Sequence, residues 1–161
     1  MEDQQGILCS SELKAGQGND LIPCFRCGIC CIGPRIQLTL VEARRISDNL
    51  GIPWQEFEDI YIDPLWLGGN RFLLRQSNGE CVFLKHEEGR YKSSCMIHEF
   101  RPFSCISWTP SLFRKQCQEG LTKYWGLELS PSLKLLGPEE MTRDFYSLLE
   151  SIVPRESPYT E

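Results

Sequence analysis

Four thiols fall within eight residues, Cys24-Phe-Arg-Cys27-Gly-Ile-Cys30-Cys31, in the spacing C-x2-C-x2-C-C. Few side-chain arrangements call for that much sulfur in so short a stretch, and metal binding is the foremost. A C-x2-C turn lets two thiolates address one point in space, and Gly28 frees the backbone to curl around an ion. Pro23, Gly28, Gly33 and Pro34 exclude a regular helix through the segment. A chain carrying it is constrained to build a loop that gathers sulfur, with the rest of the fold arranged around that loop.

The remainder is ordinary for a globular protein. The chain has 161 residues, 41% hydrophobic and 24% charged, enough for one compact domain with its own core. No apolar run approaches the roughly 20 residues that cross a bilayer. The opening Met1-Glu2-Asp3-Gln4-Gln5 is acidic and lacks the basic region of a secretory signal, which predicts a cytoplasmic location. In that reducing compartment the nine cysteines are not expected to form disulfides, and an odd number cannot all pair. Cys30 and Cys31 are adjacent, a placement that strains a disulfide dihedral. The net charge of −5 and the absence of a basic face predict neither a nucleic-acid nor a membrane partner. Arg44-Arg45 and Arg114-Lys115 are isolated pairs expected on solvated helix faces.

Local patterns divide the chain. Residues 1–21 are expected to form a flexible arm containing Cys9, residues 22–110 the cysteine-rich region, 111–153 a helical extension of the same domain, and 154–161 a disordered tail. Thr39-x-x-Glu42 reads as a capping box for a helix from Leu40 to Gly51, with Ala43, Ile46 and Leu50 inward. Pro53 suits the start of a second helix presenting Trp54, Phe57, Ile60 and Tyr61 on one face. Arg71–Arg75 and Cys81–Leu84 are predicted to pair as a hairpin about Asn78-Gly79, with a second turn at Glu87-Glu88-Gly89 that also holds His86. One helical turn is expected near Met96–Phe100, then helices over 111–119, with Cys117 as an ordinary helix residue, and from Pro138 to Val153. The fold class is therefore α+β: a small single domain whose short β-hairpins and helices pack around a cysteine-ligated metal centre. No phosphate loop or nucleotide fingerprint is present, and Glu42, Asp59 and Glu99 lack the paired spacing of acid–base carboxylates.

Three later cysteines stand in defined contexts: Cys81 in Gly79-Glu-Cys-Val-Phe-Leu84, Cys95 in Cys-Met-Ile-His-Glu-Phe-Arg-Pro102, and Cys105 three residues beyond Pro102. Together with Phe25-Arg-Cys-Gly-Ile-Cys-Cys31, Leu40-x-Glu42 and Ile46, this ordered series resembles the C-x2-C-x2-C-C cysteine-cluster family of zinc- or iron-chelating domain proteins, over residues 22–110. The resemblance implies metal ligation by Cys24, Cys27, Cys30, Cys31, Cys81, Cys95 and Cys105. It departs in places: Ile106 stands where the family has arginine, His98 where it has tyrosine, and the aromatic–proline pair becomes Trp108-Thr-Pro110. Those changes remove no sulfur. They put in doubt any role carried by that arginine. The same cysteine region occurs in proteins resembling flagellin lysine methylases, which leaves open whether this chain is an enzyme or part of one.

Seven thiols exceed the four that one tetrahedral zinc or one 4Fe–4S cluster needs. The C-x2-C-x2-C triplet with a distant fourth cysteine is a ferredoxin-like spacing and favours an iron–sulfur cluster, 4Fe–4S above all; zinc is the alternative, since soft thiolates suit both. Cys95-x2-His98 has usable ligand spacing for a second centre, and Cys30 and Cys31, if extended, would point apart and so need not serve the same centre. Three roles follow: a redox or metal-handling protein whose partner is another protein, an electron donor or acceptor or a metal recipient; a zinc-stabilised interaction module; or an iron–sulfur-dependent enzyme subunit, methylase- or oxidoreductase-like.

Overall fold

The computed structural model describes residues 22–65 and 68–152, so the expected arm, with Cys9, and the expected tail lie outside the described residues. Among them are five α-helices and four antiparallel strand pairs, an α+β fold. No helix among the described residues is long and apolar enough to cross a membrane. The residues group into two compact units, 26–109 and a second comprising 22–25 with 110–152.

In the first unit, Thr39 starts α1 (Leu40–Leu50). The Glu42 N–H donates to the Thr39 hydroxyl at 3.2 Å, and the Thr39 N–H donates to the Glu42 carboxylate at 2.8 Å, completing the capping box. Gly51 stops the helix at φ 67°, a left-handed turn that glycine adopts without strain. Ala43 and Ile46 are buried as expected, and Leu50 packs at the edge of the core. Ser47 is buried too, with its hydroxyl donating to the Ile52 carbonyl at 2.7 Å. Pro53 precedes α2 (Trp54–Tyr61), where Phe57 is fully buried but Ile60 is 44% exposed. The aromatic face is thus narrower than its spacing suggests.

The strands depart most from expectation. Asn78-Gly79 turns as predicted, both residues at positive φ, but it joins only β3 (Gln76–Ser77) to β4 (Glu80–Cys81). The expected first arm is drawn away: β2 (Arg71–Leu73) pairs with β1 (Gln37–Thr39), placing Leu38 opposite Phe72 in the core. β5 (Leu84–His86) pairs with β6 (Ser93–Cys95) around the Glu87–Gly89 turn, which puts His86 in a strand. Burial of Leu38 and Phe72 against one another outweighs local hairpin closure, and sequence periodicity carries no sign of a partner so distant. A 3-10 turn, His98–Phe100, occupies the predicted helical turn, and a short α3 (Phe103–Ile106) follows Pro102. The core joins Leu38, Ala43, Ile46, Phe57, Phe72 and Phe83, with Tyr61 stacked on Phe83 at 4.8 Å. Cys81 and Cys95 pack on its edge.

In the second unit, α4 (Lys115–Trp125) begins four residues later than predicted and ends at Gly126, φ 61°. A small hairpin of β7 (Glu128–Leu129) and β8 (Leu135–Leu136) leads to α5 (Glu139–Ile152), whose span agrees with the amphipathic pattern. Phe145 is fully buried there, in edge contact with Phe25 and Trp125, each at 5.2 Å between ring centroids.

Candidate metal centre

Cys27 lies between two residues with left-handed backbone, Arg26 at φ 54° and Gly28 at φ 79°. A Cβ on residue 28 would meet Ser93 Oγ at 2.8 Å, so glycine is required for both conformation and space. Ser93 in turn donates both its N–H and its hydroxyl to the Arg26 carbonyl, each at 3.0 Å. The Arg26 guanidinium covers the Tyr91 ring at 4.8 Å. These contacts bind the cysteine loop to the strand that carries Cys95.

The loop continues as a 3-10 turn, Ile29–Cys31, closed by the Cys31 N–H on the Gly28 carbonyl at 3.0 Å and anchored by buried Ile29. Cys30 and Cys31 are therefore not extended, so the divergence expected of extended neighbours does not arise, and their side chains meet on the turn. Ile32 bridges Glu80, and the Gly33 N–H donates to the Gly79 carbonyl at 2.8 Å, holding the turn against the hairpin that ends in Cys81. Leu84 opposite Cys95 and the Met96 N–H on the Phe83 carbonyl at 2.9 Å complete the frame. Cys105 arrives from α3.

The frame brings five half-buried free thiols into electrostatic contact: Cys30, Cys31, Cys81, Cys95 and Cys105. The Cys31 hydrogen bond, then burial, push the Cys30 thiol far up. Burial and the neighbouring Cys81 and Cys95 push Cys105 up to about 11. Burial likewise raises Cys81 and Cys95, Cys81 also feeling Cys95 and Cys95 feeling Cys30. Opposing groups are built in. The N–H groups of Phe83 and Leu84 are directed at the Cys81 sulfur, the Ile97 N–H at the Cys95 sulfur, and the Arg101 guanidinium favours the thiolates of Cys30, Cys95 and Cys105. Sulfurs that repel as thiolates yet receive N–H donors and a cation are matched to a soft metal, whose charge relieves the repulsion. The donor chemistry fits. Among the described residues, no group of three His, Cys, Asp or Glu side chains is drawn tightly enough to enclose an ion.

Cys24 is exposed at the start of the loop, Cys27 is half-buried within it, and Cys117 is buried in α4. His98 faces Glu99 at 3.7 Å on the exposed surface, and His86 pairs with Glu80 at 2.8 Å. Arg44 and Arg45 are engaged rather than merely solvated: Arg44 lies over the Trp54 ring at 4.8 Å, and Arg45 donates to the Arg101 carbonyl at 2.8 Å. Sequence reasoning assigned no role to Arg101 or Ser93. The Arg-Pro between Cys95 and Cys105 was the available signal for the first; nothing local marks the second.

A model of the CxxCxxCC family, described as "Putative zinc- or iron-chelating domain", matches residues 23–123. Comparison with curated proteins found no match, and comparison with solved structures found none.

Proposed function

Because the chain belongs to the CxxCxxCC family of zinc- or iron-chelating domains, we propose that it holds an iron–sulfur cluster, 4Fe–4S in type, on cysteine thiolates and uses it in electron transfer or metal handling with a protein partner. The observation that carries this reading is the interacting group of Cys30, Cys31, Cys81, Cys95 and Cys105, an all-sulfur donor set from four separate elements. Cys24 and Cys27 join as donors through the C-x2-C spacing and the family resemblance. An iron–sulfur cluster supplies one-electron chemistry at a potential tuned by hydrogen bonds to its sulfurs and by exposure.

The residues around the thiols have definable work. The Phe83, Leu84 and Ile97 amides stabilise sulfur charge, as does Arg101. Buried Phe83 and Ile97 belong to the core on which Cys81 and Cys95 pack. Glycine at 28 lets the loop approach Ser93 closely enough to bring Cys30 toward β6.

A structural zinc is the second reading. The elements that deliver the thiols are held by strands of two or three residues, so a closed, redox-silent crosslink would add much to their stability. Anaerobic purification followed by elemental analysis for iron, zinc and acid-labile sulfide separates the two. About four irons and four sulfides per chain, with broad visible absorption, is the expected result. Stoichiometric zinc without sulfide or colour establishes the second reading, and absence of both metals overturns both.

A further inference from the structure

Cys105 depends on a helix that cannot cap itself. α3 spans four residues, and its N-cap is Pro102, whose side chain can cap none of the orphan N–H groups of the turn. An acceptor for the first of them comes from α1: Glu42 Oε1 accepts the Phe103 N–H at 2.7 Å, while Oε2 accepts the Thr39 N–H at 2.8 Å and the Thr39 hydroxyl at 3.1 Å. Three residues further along the same helix face, Arg45 Nη2 donates to the Arg101 carbonyl at 2.8 Å. An acceptor and a donor on α1 thus grip both sides of fully buried Pro102 and hold the segment that delivers Cys105. The capping-box role explains only one oxygen of Glu42. The other reaches 61 positions along the chain to the Cys105 turn.

We propose that Glu42 is a positioning residue for the metal centre: its carboxylate couples the start of α1 to the first turn of α3 and so sets where the Cys105 sulfur stands. This rests on the reading that Cys105 is a thiolate ligand. Glu42 itself touches no sulfur. Outer groups that orient ligands typically account for 10- to 100-fold in metal affinity when lost.

The test uses the reduced full chain under anaerobic conditions, titrated with Co²⁺ and read by sulfur-to-cobalt charge-transfer absorption, with a chelator in competition. Glu42→Gln is expected to bind about tenfold more weakly than wild type. Phe103→Pro removes the N–H donor together with the exposed side chain; proline is well tolerated at a first helical position, and Pro102 already has the extended backbone that a following proline requires. It is expected to reproduce the loss, and combining it with Glu42→Gln to add little. Phe103→Ala keeps the N–H and discards only a side chain that is 72% exposed, so it is expected to bind as wild type. Wild-type affinity in Phe103→Pro, or an equal loss in Phe103→Ala, overturns the positioning role while leaving the metal site intact. A wild-type chain without the charge-transfer band overturns the metal reading and this proposal together.

Discussion

At the scale of single residues, the proposed metal site lies where backbone freedom meets sulfur. Gly28 combines positive φ with no room for a Cβ, so Gly28→Ala is expected to destabilise the protein by about 1–3 kcal/mol in denaturant unfolding. A cost near zero would show that the loop is free to move away from Ser93. The cysteines divide by surroundings. Cys105→Ser is expected to lose most bound metal on elemental analysis, and Cys117→Ser, buried in α4, to retain it. Equal retention by both variants removes Cys105 from the ligand set. The glycine was legible because C-x2-C turns need one. The partner that enforces it, Ser93, sits 65 positions away and carries no mark in the sequence.

At the scale of elements, α1 joins capping to the delivery of Cys105, and its acid sensitivity follows from Glu42. Burial acts to raise that carboxyl, but hydrogen bonds from Thr39 and Phe103 and the charge of Arg45 prevail and hold it below the ordinary value of 4.5. A depressed folded-state value means the stabilisation is complete above 4.5 and is lost as pH falls through the folded value. The stability deficit of Glu42→Gln relative to wild type is therefore expected to shrink as the metal-free protein is acidified below 4.5. Denaturant unfolding across the acid range measures it; a deficit that grows would reverse the sign assigned to this carboxylate. Helix starts and stops at Thr39, Gly51 and Pro53 were readable because caps act within four residues. Strand partners were not, because β1 and β2 meet across more than thirty residues of chain.

At the scale of the whole molecule, the proposed metal site ties folding to metal binding. Cys30, Cys31, Cys81, Cys95 and Cys105 are assembled only when the 3-10 turn, two hairpins and α3 are in place, so a metal bound there stabilises the native state by mass action. Free metal at about a hundred times its dissociation constant is expected to add ~2.7 kcal/mol, and chelation to remove it. Thermal unfolding of loaded and chelated protein checks this; coincident transitions would mean the metal does not bind the folded chain at those thiols.

Spacing along the chain was sufficient for the donor chemistry, the α+β class, the first helix with both its caps, and the turn at Asn78-Gly79. Each of these depends on interactions spanning a few residues, and composition at those positions encodes them. Three-dimensional packing alone decided that Cys30, Cys31, Cys81, Cys95 and Cys105 interact, that Cys30 and Cys31 lie on a turn and face each other, and that Glu42 serves Phe103 as well as Thr39. Those outcomes need groups 50 or more positions apart to meet, as Arg45 and Arg101 do at a separation of 56. Only burial of a common core brings them within hydrogen-bond reach, and no local pattern records which distant partner it selects.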